Sequence, residues 1–297
     1  MEKRSRSTRS ILVLLCLIMG LCAGCSRAKV ESIEHMNKGV EYYTTKQYNM
    51  AITELEKAIQ LDDENEEAYH NLAIVHIEQG HWQKAAQLLT RAAALNPENA
   101  NYQFLLGQSY MELGELEQAK TALENASNLD PNFYKPSYYL GLVNQQLDEP
   151  QQALQAYTDS CMKNGRFIPA YTGLANLYIE LGYLDHAKQV LEESLKVVVP
   201  NSDEHAEVEK LLGTVHQEKD DPETAIVHLK KAVDIKPNML DAVFNLGWTY
   251  AEIKSNDNAQ LYLERFIKQA GEDTPQEYVR AAQAKIYEFK EEPLANQ

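Results

Sequence analysis

The chain has 297 residues, 28 of them basic and 44 acidic, for a formal net charge of −16. That balance excludes a nucleic-acid surface, which needs a basic stripe to displace counterions from phosphates, and chiefly signals solubility. Of the four cysteines, Cys16, Cys22 and Cys25 fall at the very start and only Cys161 lies beyond them, so no disulfide framework is on offer.

Residues 1–24 read as an export signal. Lys3, Arg4, Arg6 and Arg9 give a positive start, Ile11 to Met19 is an unbroken apolar run, and Leu21 to Gly24 brings small residues up to Cys25. The run is too short for a membrane-spanning helix, which takes roughly 20 apolar residues. The ending Cys22-Ala23-Gly24-Cys25 resembles the cleavage box of bacterial lipoproteins. That resemblance implies a cut before Cys25 and acylation of Cys25. With Ser26 rather than Asp next, it also implies the outer membrane, facing the periplasm. Several acyl chains on one residue anchor stably where a single chain would not. Residues 25–31 then form a lipidated tether, and Ser26 to Glu31 reach about 20 Å when extended.

From residue 32 a 34-residue pattern recurs, each copy two amphipathic helices joined by a short turn. The copies span 32–65, 66–99, 100–133, 134–167, 168–201, 206–239 and 240–273. The third shows the alphabet best: Leu106-Gly107, Tyr110, a turn at Gly114, then Ala119, Leu123, Ala126 and the closing Pro131. The second has Leu72-Ala73, Gly80, Ala85 and Leu89; the fifth has Leu174-Ala175, Tyr178, Gly182, Ala187 and Leu191. In the fourth, Asp148 replaces the turn glycine, and Pro150 opens the second helix from its first turn. Ser202–His205 reads as a four-residue insertion before the sixth copy. Small residues at the eighth, twentieth and twenty-seventh positions let antiparallel helices approach to about 8–10 Å. Larger residues at the seventh, eleventh and twenty-fourth positions fill the layers between them.

These residues at this period resemble the tetratricopeptide repeat. The resemblance implies an all-α fold: a right-handed superhelical solenoid of seven helix-turn-helix units, in which each unit buries its apolar face against its neighbours. Residues 274–297 supply a capping helix and tail. Thr274-Pro275-Gln276-Glu277 reads as a capping box with proline at the first helical position, and Tyr278, Ala282, Ile286 and Phe289 form one apolar stripe. Pro293 and the residues after it read as an unstructured tail.

In the family resembled, the first helix of each repeat lines a groove, facing inward at the second, fifth, ninth, twelfth and thirteenth positions. Carried onto this chain, the groove set is Met36, Val40, Tyr43, His70, Ile74, Ile77, Phe104, Met111, Tyr138, Leu142, Asn176, Phe244 and Trp248. The thirteenth position adds Glu78, Glu112, Glu180, Glu218 and Glu252. Apolar bulk beside a glutamate row suits an apolar, somewhat basic peptide.

Enzyme chemistry finds no foothold. There is no G-x-S-x-G, Walker loop or GxGxxG, and His70, His76 and His81 lack partners at ligand spacing. No cofactor, metal or nucleic acid is expected, and the membrane is met only through the lipid. The whole plan, a lipoprotein box followed by repeats, resembles the pilotin lipoproteins that help type IV pilus secretins assemble. The expected function is a periplasmic scaffold for protein partners, with secretin subunits one candidate. The alternatives are an adaptor for peptidoglycan hydrolases and a component of polysaccharide export.

Overall fold

The computed structural model describes residues 27–295. Cys25, the export segment 1–24 and the start of the tether lie outside the described residues. Every described element is an α-helix: α1 (27–44), α2 (Tyr48–Leu61), α3 (Glu66–Glu78), α4 (Trp82–Leu95), α5 (Ala100–Glu112), α6 (Leu116–Leu129), α7 (Tyr134–Gln146), α8 (Pro150–Lys163), α9 (Ile168–Glu180), α10 (Leu184–Leu195), α11 (Asp203–Glu218), α12 (Pro222–Ile235), α13 (Leu240–Glu252), α14 (Asn256–Gln269) and α15 (Gln276–Ala295). Seven helix pairs and a fifteenth helix make an all-α repeat fold.

The turn inside each pair is built the same way whatever its sequence. One residue takes the left-handed conformation: Lys46, Gly80, Gly114, Asp148, Gly182, Asp220 or Lys254. The following N–H then reaches back along the helix, as from Gln47 to the Tyr42 carbonyl (2.8 Å) and from Ser255 to that of Tyr250 (2.9 Å). This closes the helix carbonyls that would otherwise be orphaned. Glycine holds that position in three turns, and side-chain-bearing residues hold it in four at a steric cost.

Packing divides the chain within α7, into one unit through Tyr139 and a second from Leu140. In the first unit, Ala51, Leu55, Ala58, Ala68, Leu72 and Val75 form one core, and Ala73, Ala85, Ala86, Leu89, Leu106 and Ala122 the next. The Ser32 hydroxyl donates to the Ala58 carbonyl (2.8 Å) and accepts from the Asn65 amide (2.9 Å), while Asn65 caps α3 at the Ala68 N–H (3.0 Å). The second unit repeats the scheme with Ala187, Leu191, Val208 and Leu212, then Ala225, Leu229, Val243, Leu246 and Leu263. Its last layer closes on Ala282 and Ile286 of α15.

The fourth repeat departs from this rule. Tyr157 replaces the usual leucine, is fully buried, and donates its hydroxyl to Gln145. A Cβ on Gly141 would lie 2.5 Å from its Cδ1, and one on Gly173 only 2.9 Å from its Cε1. The ring is therefore flanked by two bare backbones.

Four expectations need correction. Residues 27–31 of the expected tether are already helical, so they rise about 1.5 Å each rather than the 3.3 Å or more of an extended chain. The insertion at Ser202–His205 is absorbed by α11, which starts at Asp203 and takes Ser202 as its cap (3.1 Å to the His205 N–H). The Thr274 hydroxyl turns back to accept the Gly271 N–H (3.0 Å) instead of serving the expected capping box. Finally, α15 runs on to Ala295 and carries Pro293 in its last turn, at the loss of the backbone hydrogen bond that residue 293 would otherwise donate to the Phe289 carbonyl.

Candidate functional site

Of the residues expected to line the groove, those of the first unit scatter between surface and core. Met36 is buried among Ala51, Leu55 and Leu72, and Phe104 is buried edge-on against Phe133 (5.0 Å) and Tyr139 (5.4 Å). Neither is available to a partner. The remainder are open to differing degrees. Val40 is exposed, while Ile74, Ile77 and Met111 are half-buried. Tyr43 packs on Tyr48 (6.2 Å) and donates to Glu78 (3.4 Å). His70 lies on the Tyr102 ring (5.0 Å), where burial lowers its pKa. Tyr138 stands edge-on to Tyr139 (5.4 Å).

The second unit is more concentrated. Leu142 is half-buried, while Asn176 and Phe244 open into a cleft of about 620 Å³. Its walls come from α9 (Asn176), α11 (Lys210, Thr214), α13 (Asp241, Phe244, Asn245), α14 (Phe266) and the start of α15 with the residues before it (Asp273, Thr274, Pro275, Tyr278). Phe244 is the hub. It stacks on Trp248 (5.7 Å), tilts against Phe266 (5.1 Å) and meets the edge of Tyr278 (5.2 Å). Aromatic pairs at these spacings each add about 0.5–1.5 kcal/mol beyond their burial, so the wall is rigid.

The polar groups of the cleft are carboxylate-rich. The Lys210 ammonium reaches Glu207 at 2.7 Å and Asp241 at 3.7 Å, with most of its side chain covered. Asp273 is exposed at the rim. Further along the same face of α13, burial and the nearby Asp220 push the Glu252 carboxyl above its usual range, with Lys285 opposing.

Several cleft residues escaped the sequence pattern, and two of them, Phe266 and Tyr278, left a signal. Phe266 stands where the earlier repeats carry Ala58, Ala92, Ala126, Ser160, Ser194 and Ala232, so bulk at a small-residue position marks a widened layer. Tyr278 falls on the fifth position if the 34-residue count simply continues past 273. Asp273 left none.

The histidines do not assemble a metal site. His76 and His81 face each other at 3.4 Å between ring nitrogens, while His70 lies on Tyr102. Among the described residues no three His, Cys, Asp or Glu side chains are placed to hold a metal ion. Cys161 is half-covered, and burial pushes its thiol up to about 12, so it carries no thiolate near neutral pH.

Family models for the TPR repeat match residues 107–148, and for the tetratricopeptide repeat 168–197, 211–239 and 241–272. A model for anaphase-promoting complex, cyclosome, subunit 3 matches 44–126. No curated protein matches the chain. Among solved structures, Pseudomonas aeruginosa PilF is similar at 22% identity, with a TM-score of 0.59 over 78% of this chain and 99% of that one. A tetratricopeptide repeat protein from Parabacteroides merdae reaches a TM-score of 0.61 at 16% identity, over 86% and 98% of the two chains. MamA gives a TM-score of 0.51 at 25% identity, covering 53% of this chain and 92% of its own.

Proposed function

Because the chain is a tetratricopeptide-repeat protein, we propose that it acts as a lipid-anchored scaffold of the bacterial envelope, holding a protein partner in the groove lined by its first helices. Repeat proteins of this family are typically non-enzymatic scaffolds. The observation that carries the reading is the cleft around Phe244. It is an apolar, aromatic-walled recess of about 620 Å³, large enough for two or three side chains of an extended segment. The anchor rests on the Cys22-Ala23-Gly24-Cys25 box, and the periplasmic location follows from it.

The partner proposed first is a type IV pilus secretin, on the strength of the lipoprotein-plus-repeats plan; the likeness to PilF at 22% identity speaks to the fold alone. Crosslinking in native cells, followed by mass spectrometry of what co-purifies, tests this. Recovery of a secretin whose multimers fall when the protein is deleted supports the reading. Recovery of cell-wall hydrolases or polysaccharide-export components, with secretin multimers untouched, moves the scaffold to one of those machines. The anchor has its own test: Cys25→Ser leaves an unprocessed precursor, and normal processing with membrane retention refutes acylation.

A further inference from the structure

Resting on the proposal that the groove holds a protein partner, we infer that the cleft grips a lysine or arginine side chain of that partner, its stem lying against Phe244 and Tyr278 and its charge directed to Asp241 and Asp273. The aromatic surface is available: Tyr278 is 47% exposed, although its ring meets Phe244 at 5.2 Å. Aromatic faces attract a cation within about 6 Å of the ring centroid. The second unit already makes such a contact, with Lys285 Nζ 5.9 Å over the Trp248 ring that stacks behind Phe244.

The charges around the cleft favour a cation over an anion or a neutral group. Asp241 is 71% exposed and only loosely engaged by Lys210, at 3.7 Å. Lys210 itself is satisfied by Glu207 at 2.7 Å, which leaves Asp241 and Asp273 to an incoming charge. Along one face of α13, Asp241, Phe244, Trp248 and Glu252 succeed one another at intervals of three and four residues, placing acid, aromatic, aromatic and acid in a line. The chain as a whole carries −16, which sets a negative field around the cleft. Such a field speeds the encounter with a basic segment and loses strength with salt. An acidic segment would meet Asp273 and an Asp241 only loosely engaged by Lys210 at the same spot.

Trp82 and Trp248 are the two tryptophans, so Trp82→Phe in the full chain, purified in detergent, leaves Trp248 as a fluorescence reporter beside the cleft. The probes are the acetylated, amidated pentapeptide Leu-Arg-Leu-Arg-Leu and its counterpart with glutamate for arginine. The arginine peptide is expected to bind at least about 10-fold tighter than the glutamate peptide, and to weaken as salt rises. Asp241→Asn with Asp273→Asn should remove most of that preference while lowering the urea midpoint only slightly, since both side chains are exposed and Asp241 is held by Lys210 only at 3.7 Å. Equal affinity for the two peptides, binding of neither, or indifference to the double substitution overturns the inference. In cells the two readings part. A partner captured equally well by the double variant removes the cation grip and leaves the scaffold, whereas the failure of the unaltered protein to capture any partner removes the scaffold itself.

Discussion

Gly141→Ala should be the most damaging single methyl that this array can receive. Elsewhere the eighth position tolerates such a change: Ala73 sits buried against Leu89 and Ala175 against Leu191. At Gly107 an added Cβ would fall 2.6 Å from Leu123 Cγ, and a leucine can rotate away. At Gly141 the same Cβ meets the flat ring of Tyr157, at 2.5 Å from Cδ1 and 2.7 Å from Cζ, and Gly173 bars retreat on the ring's other side. Overpacking costs about 1–3 kcal/mol, and here the top of that range applies. The alanine returns about 1 kcal/mol in helix propensity, leaving a net loss of about 2 kcal/mol. Gly107→Ala, by the same sum, comes out near zero. Tyr157→Leu alone should cost about 1–2 kcal/mol through lost volume and the abandoned Gln145 partner. In the double variant, however, the leucine makes room for the alanine, recreating the Ala–Leu pairs of the second and fifth repeats. The coupling should therefore be about 2 kcal/mol in favour of the pair. Hydrogen exchange across α7, α8 and α9 is the suitable assay, because a repeat array need not unfold in one step. A loss of about 2 kcal/mol is about 30-fold faster exchange. Single costs that simply add, or a harmless Gly141→Ala, would refute the reasoning.

Other expectations rest on single sites. Lys254→Gly should raise stability by about 0.5–1 kcal/mol, because relief of the left-handed penalty exceeds the entropy that glycine costs; a lower urea midpoint would contradict this. Glu209 is only 2% exposed, and burial pushes its carboxyl up, yet the hydrogen bond and charge of His228 (2.6 Å), with Lys231 (3.5 Å), outweigh that and hold it below the usual range. Its folded pKa being depressed, its stabilisation is complete above the unfolded value near 4.5 and is lost as pH falls through the folded one. His228→Leu should accordingly cost about 1–3 kcal/mol at neutral pH and less in acid, measured as melting temperature against pH. The Cys161 thiol, raised from 9.0 to about 12, contributes stability that is present below pH 9 and lost as pH climbs toward 12. Maleimide should label it slowly at pH 7 in the folded chain and quickly in urea; fast labelling of the folded chain would show the thiol to be open.

The helical frame was legible in the sequence because it is local. A 34-residue period, small residues at fixed places and a turn every repeat specify two helices and their contact faces without reference to distant parts of the chain. Even the turns that lack glycine obey the frame: Lys46, Asp148, Asp220 and Lys254 take the conformation that Gly80, Gly114 and Gly182 adopt. What the frame could not give is how deep each side chain of a row lies. Met36, Phe104 and Phe244 share the fifth position, yet the first two are buried and the third opens into a cleft. The difference comes from the neighbours. Phe133 and Tyr139 cover Phe104, whereas Phe266 and Tyr278 wall the Phe244 site without filling it. Side-chain depth is set by packing between helices from different repeats, so only the tertiary structure could decide which members of the row are core and which open into a binding recess.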